Sequence, residues 1–159
     1  MDHPLTHLDH RGNARMVDVT DKTPTVRAAT AAGRVVTSPE TVALLRDGAV
    51  PKGDVLAVSR IAGIQAAKKT PELLPLAHVI GVHGAVVDLR VTDSGVEITA
   101  TVRTADRTGV EMEALTSVTV AALSVIDMVK GRDRSAHITD VRLLEKTGGR
   151  SGTWRREDA

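Results

Sequence analysis

Apolar and polar residues alternate over residues 82–92 and again over 96–105, the two-residue period of strands with one buried face. Thr92-Asp93-Ser94-Gly95 between them supplies the small, turn-forming residues of a hairpin. Elsewhere the period lengthens. Ser38-Pro39-Glu40-Thr41 reads as a helix start, with Ser38 able to cap and Pro39 suited to the first helical position. That helix carries Val42, Leu44 and Leu45 and is expected to end near Gly48. A second helix is predicted from Asp54 to about Lys69, with Val55, Val58, Ile61, Ala62, Gln65 and Ala66 at helical spacing, stopped by Thr70-Pro71. A third and longer one begins at Thr108-Gly109-Val110-Glu111, which has capping-box spacing, and its apolar pattern runs through Met128.

The remaining segments are shorter or mixed. Residues 16–37 open on Met16-Val17-Asp18-Val19 and end on Arg34-Val35-Val36-Thr37; β-branched residues near each end favour extended structure, while the alanine-rich middle leaves helix open. Glu72 to His78 has a proline at each flank and cannot be long regular structure. Residues 137–146 give a last strand, followed by the glycine-rich loop 147–152. The order is β-α-α-β-β-α-β without internal repeat, an α+β chain whose helices would cover one face of an antiparallel-leaning sheet. We expect a flexible arm over 1–15, a single α+β domain over 16–152 and a polar tail over 153–159.

Composition narrows the class. At 159 residues the chain suits one domain able to bury an ordinary core without disulfides or metals. Phe and Tyr are absent and Trp154 is the only aromatic, so the core must be aliphatic and no stacking platform for single-stranded nucleic acid exists. Twenty-one basic and twenty acidic residues are well mixed, giving net charge +1 and no polyanion-binding stripe. With no cysteine, disulfides, thiolate metal sites and cysteine nucleophiles are excluded. The apolar runs fall short of a bilayer span, and Met1-Asp2-His3-Pro4 lacks a signal pattern. We expect a cytoplasmic protein without nucleic-acid or membrane partners.

The candidate chemistry lies in charged residues placed beside apolar segments. Asp127 and Lys130, three apart at the end of the long helix, can work as acid and base or form an ordinary helix ion pair. At the other end lie Glu111, Met112 and Glu113, where acids also suit a helix N-terminus. Glu113 and Asp127 are fourteen positions apart, about 21 Å along a helix axis, so they could share one pocket only across subunits. Lys52, just before a helix, can hold an anion or simply be solvated. His78 lies between apolar runs as either a buried histidine or a phosphate-binding one. Lys146 with Thr147-Gly148-Gly149-Arg150-Ser151-Gly152 offers cations and flexible amides suited to phosphate, or a plain loop. The N-terminal histidines His3, His7 and His10 match a metal site only loosely.

Taken together, Leu5-Thr6-His7, Met16 to Val19, Lys52 to Val55, Arg60-Ile61-Ala62-Gly63-Ile64-Gln65-Ala66-Ala67-Lys68, Pro75 to His78, Thr108 to Thr116, Asp127-Met128-Val129-Lys130 and Lys146 to Gly152 resemble the cyclic pyranopterin monophosphate synthase family along nearly the whole chain. The resemblance implies a ferredoxin-like fold and a homohexamer, a trimer of dimers with sites at the dimer interface. It implies a lyase of molybdenum cofactor biosynthesis, converting 3′,8-cyclo-7,8-dihydroguanosine 5′-triphosphate to cyclic pyranopterin monophosphate and diphosphate, with no cofactor and no metal. Asp127, Lys130 and Lys52 would be catalytic; Leu76, Ala77, His78, Met112 and Glu113, with Glu111, Lys146 and Arg150, would bind substrate. Many members carry Leu-Cys-His-Pro where this chain has Leu76-Ala77-His78-Val79, which removes any thiol role and frees the backbone after His78. The alternative is a non-catalytic paralogue of the same fold that binds the nucleoside triphosphate; a purely structural interaction protein would do neither.

Overall fold

A computed structural model describes residues 6–158. Five strands and three helices follow in the order β1 Thr25–Val36, α1 Pro39–Arg46, α2 Val55–Leu73, β2 Gly84–Thr92, β3 Gly95–Asp106, α3 Glu111–Val129, β4 His137–Thr147 and β5 Trp154–Arg155. The sheet order is β2-β3-β1-β4-β5, and every neighbouring pair is antiparallel. Without α1 and β5 this is the β-α-β-β-α-β topology of ferredoxin-like proteins, as the resemblance implied. Helix α3 packs across β1, β3 and β4, and α2 lies beside it over β2.

Local signals account for the boundaries that were read correctly. Ser38 caps α1 by accepting from the Thr41 N–H, and Asp54 caps α2 by accepting from that of Ala57. Thr92 pairs with Gly95 across the expected β2–β3 turn. The core is aliphatic throughout, built from residues such as Val35, Val87, Ile98, Val102, Val118 and Val125, while Trp154 remains 43% exposed.

Four expectations need correction. The first strand begins only at Thr25, and Met16 to Val19 run outside the sheet. Helix α2 continues through Pro71 to Leu73, because Thr70 lends its hydroxyl to the carbonyls of Ala66 and Ala67, the second being the one that the missing Pro71 N–H leaves open. The capping box at Thr108 does not form; α3 starts after Val110, with no side-chain cap. The segment after residue 152, expected as a polar tail, adds β5 to the edge of β4, pairing Trp154 with Lys146.

Helix α2 also turns a different face inward from the one its larger residues suggested. Val58 and Ile61 are exposed, and Val55, Ser59, Gly63, Ala66, Ala67 and Thr70 are buried. Small residues let α2 approach α3 closely. The Ser117 hydroxyl donates to the Gly63 carbonyl at 2.8 Å, and the Ser59 hydroxyl to that of Ser124 at 3.0 Å. A Cβ on Gly63 would sit 3.1 Å from the Ser117 carbonyl oxygen and 3.2 Å from the Ala121 Cβ. Gly63→Val is therefore expected to wedge the helices apart and cost about 1–3 kcal/mol, read as a lower urea midpoint with unchanged slope. Helix α3 is long and apolar enough to cross a membrane by composition, but half of it is buried against the sheet and α2, as in a core helix.

The turn after α3 is fastened by Asp133. Its Oδ2 accepts from the Thr37 hydroxyl at 2.7 Å and the Ser38 N–H at 2.8 Å; its Oδ1 accepts from the Ser135 N–H at 2.8 Å and hydroxyl at 2.6 Å. These bonds, those of Ser135 and Thr37 foremost, hold its carboxyl far below the usual carboxylate range. A depressed folded pKa contributes stability that is present above the unfolded value of about 3.9 and is lost as pH falls below it. Asp133→Ala should thus lower the urea midpoint at pH 7, and the gap between parent and variant should narrow below about pH 4.

Candidate functional site

The start of α3 and the crossing segment Leu76 to His78 enclose a cavity of about 570 Å³. Its walls include Leu76, Ala77 and His78, Glu111, Met112 and Glu113, Thr108 and Gly109, Leu143, and from the N-terminal segment Thr6, His7, Val17, Val19 and Lys22. Six of the residues expected at a substrate site therefore meet here. A second cavity of about 620 Å³ shares His7, Leu76, Ala77 and Met112 and adds Ala14, Leu74 and Pro75; its lining is almost wholly apolar.

Each polar side chain of the first cavity is placed for a reason. His78 Nε2 lies 2.6 Å from the Val17 carbonyl oxygen, which can only accept, so this nitrogen carries a proton and the ring is fixed despite the exposed Val79 that follows. Glu113 is 3% exposed, and burial raises its pKa; the nearby Glu111 raises it further, while its own backbone N–H and His78 lower it. The side chain of Glu111 folds back over Gly109, where a Cβ would collide with its carboxylate. Lys22 is pushed down by burial and by the charges of Arg27 and Arg150, so an arriving anion would relieve an excess of positive charge.

Arg150 reaches the cavity only through this influence on Lys22, and neither it nor Lys146 lines the wall. Lys146 Nζ donates to the Gly148 carbonyl and the Ser151 hydroxyl. Gly148 and Gly149, both at positive φ, sit against Arg27; a Cβ on Gly148 would strike the Val26 carbonyl and one on Gly149 the Arg27 guanidinium. Arg27 in turn donates to the carbonyls of Asp106 and Arg107. The loop is thus tied through Arg27 to Asp106 and Arg107, which directly precede the Thr108 of the cavity lining.

Lys52, Asp127 and Lys130 gather at the far end of α3. Lys130 Nζ is 2.6 Å from Asp127 Oδ1, and Lys52 Nζ lies 3.7 Å from the same oxygen while donating to the Asp127 carbonyl at 2.8 Å. The Lys130 hydrogen bond, then the charges of Lys130 and Lys52, lower the Asp127 pKa. All three side chains are more than half exposed. Within one chain this cluster and the Glu113 cavity stay apart, since α3 is continuous from Glu111 to Val129 and spaces Glu113 and Asp127 by about 21 Å. Among the described residues no group of three histidine, aspartate or glutamate side chains could hold a metal ion; His3 lies outside them.

Sequence reasoning missed Lys22, Val17, Val19 and His7 as cavity residues. The alternation of Val17 and Val19 was visible, but nothing local told that their partner was a cavity rather than a sheet.

The ferredoxin-like domain thus carries a cavity lined by a buried carboxylate, a fixed imidazole and the cation of Lys22. The model of the MoaC family matches residues 16–149, and the chain belongs to that family. It is 62% identical over 152 residues to a Streptomyces coelicolor protein named cyclic pyranopterin monophosphate synthase, covering 96% of this chain and 89% of the relative. A Thermomicrobium roseum protein of the same name is 59% identical over 156 residues, 97% of this chain and 94% of that one. A Mycobacterium tuberculosis protein named cyclic pyranopterin monophosphate synthase 2 is 56% identical over 152 residues, 96% and 91%.

Proposed function

We propose that this chain is a lyase converting 3′,8-cyclo-7,8-dihydroguanosine 5′-triphosphate to cyclic pyranopterin monophosphate and diphosphate in molybdenum cofactor biosynthesis. The observation that carries the reading is identity of 62% over 96% of the chain to a relative bearing that enzyme's name. The geometry fits it. Buried Glu113 lines the cavity with Met112 and is suited to accept from the N–H groups of a guanine-derived ring, and Leu76, Ala77 and His78 line the same cavity. Lys22, with Arg150 and Lys146 behind it, supports the triphosphate.

Lys52, Asp127 and Lys130 are the catalytic set in this reading. Asp127, held ionised by two ammonium groups, takes protons as the purine-derived ring opens and the pterin closes, and a lysine returns them. Closing the cyclic phosphate requires a sugar hydroxyl to attack the α-phosphorus while the bond to the β-phosphate oxygen breaks. The negative charge that develops on the departing diphosphate needs a cation at that point, which Lys52 supplies.

Because the Glu113 cavity and the Asp127 cluster lie at opposite ends of α3, the reading requires that one protomer supply the cavity and its partner the cluster. We assign the site to a dimer interface within a homohexamer, a trimer of dimers, in the cytoplasm, without nucleic-acid or membrane partners. An anaerobic assay of the purified chain with the cyclised GTP intermediate, following pterin product and diphosphate together, tests the reaction. Stoichiometric product supports it, and tight binding without product would point to the non-catalytic paralogue.

A further inference from the structure

The N-terminal histidines have no part in the reaction outlined above, yet one of them faces the cavity. His7 lines both cavities, the polar one beside Glu113 and the apolar one beside Leu74. It is held there by a closed turn rather than by the sheet. Asp9 Oδ1 accepts from the backbone N–H groups of Arg11 and Asn13 at 2.8 and 2.9 Å, and its Oδ2 from the Asn13 side chain at 3.2 Å. Leu8 and Ala14 form an isolated antiparallel bridge, and the Arg15 N–H donates to the His7 carbonyl at 2.8 Å. Asp9 is an Asx-turn residue whose carboxylate replaces missing backbone partners, and the hydrogen bonds it accepts lower its pKa, those of Asn13 most.

Both limbs of the turn face the cavities, His7 on one side and Ala14 on the other. The segment beyond it continues the wall through Val17 and Val19 to Lys22, and the Val17 carbonyl fixes His78. We propose that the turn over residues 6–15 is a wall of the substrate site, and that His7 is a further substrate-contacting residue, delivered by Asp9. The ligand is a phosphorylated, guanine-derived nucleotide, and in this the inference rests on the function proposed above. An imidazole here can donate to a phosphate or sugar oxygen of a ligand held in the cavity that it lines together with Glu113 and His78.

The test compares His7→Ala and Asp9→Ala with the parent in steady-state turnover of the cyclised GTP intermediate, with melting temperature as a folding control. Loss of a hydrogen bond to a charged group predicts that His7→Ala lowers kcat/KM by about tenfold to a hundredfold at an unchanged melting temperature. Asp9→Ala, whose side chain touches only the turn, should raise KM with a smaller change in kcat, the mark of a positioning residue. Parental kinetics in His7→Ala overturns the proposal. Should the parent itself form no product, the assigned reaction falls, and an NMR titration with GTP decides the inference alone. His7 ring resonances, identified by their absence from His7→Ala, shift on GTP addition if the turn walls a nucleotide cavity, and stay in place if it does not.

Discussion

Asp127→Ala is expected to lower kcat by about a thousandfold or more while the protein stays folded, since a positioned acid–base group contributes about 10²–10⁴ and this one also orders two cations. Exposed ion pairs add little to stability, and the Asp127 side chain is 60% exposed, so circular dichroism and sedimentation should match the parent. The two lysines have different anchors. Lys52 keeps its bond to the Asp127 backbone carbonyl in the variant, whereas Lys130 loses the only side-chain hydrogen bond it makes among the described residues. Asp127→Ala therefore disorders Lys130 more than Lys52, and Lys52→Ala should be a separable loss rather than the same one. The pH profile has a defined sign. With its pKa lowered by Lys130 and Lys52, Asp127 remains a base through neutral pH, and activity that depends on it should fall only below the usual carboxylate range. A fall centred at neutral pH, or turnover surviving in Asp127→Ala, would remove Asp127 from the reaction.

What could be read from the chain divides by the range of the interactions involved. Ser38-Pro39, Asp54 and the Asp93-Ser94 turn are local devices, satisfied within three residues, and they appear where expected. The apolar alternation of residues 82–92 and 96–105 likewise became β2 and β3, because one buried face is enough to specify a strand. The failures are non-local. Nothing in the spacing of α2 says that Ser59 and Gly63 are buried while Ile61 is exposed, because that choice is made by α3, whose Ser117 and Ala121 leave room only for small partners. Pro71 looked like a stop because its missing N–H is a local fact, and the Thr70 hydroxyl that compensates takes effect only once the helix is formed. The Glu113 cavity draws on residues 6–22, 76–78, 108–113 and 143, and periodicity within any one of these segments cannot show that they meet. Recognising the ordered set of segments as a family pattern placed Leu76, Ala77, His78, Glu111, Met112 and Glu113 together, and Lys52 beside Asp127. Lys22 lies outside that pattern, and His7, though within its Leu5-Thr6-His7 segment, carried no site role there.

Mixing two inactive variants should restore turnover. Glu113→Gln removes the buried carboxylate of the cavity and Asp127→Ala removes the base of the distant cluster, and about 21 Å of helix separates the two positions in any one chain. If each site draws its cavity from one protomer and its cluster from the partner, a dimer of one Glu113→Gln chain and one Asp127→Ala chain has one doubly damaged site and one intact site. With free exchange at equal amounts, half the dimers are mixed and half of their sites are intact, so about a quarter of parental activity returns. Glu113→Gln suits this use because the charge it removes is one that burial disfavours. A carboxylate with a raised folded pKa costs stability as pH rises through that value, so the amide is not expected to weaken the fold at pH 7. The experiment refolds or co-expresses the two variants together and assays them beside each variant alone. Recovery near a quarter assigns the two ends of α3 to one composite site. No recovery, with mixed oligomers demonstrated by differently tagged chains, would show that a single protomer holds every catalytic group and that the separation seen along α3 has some other meaning.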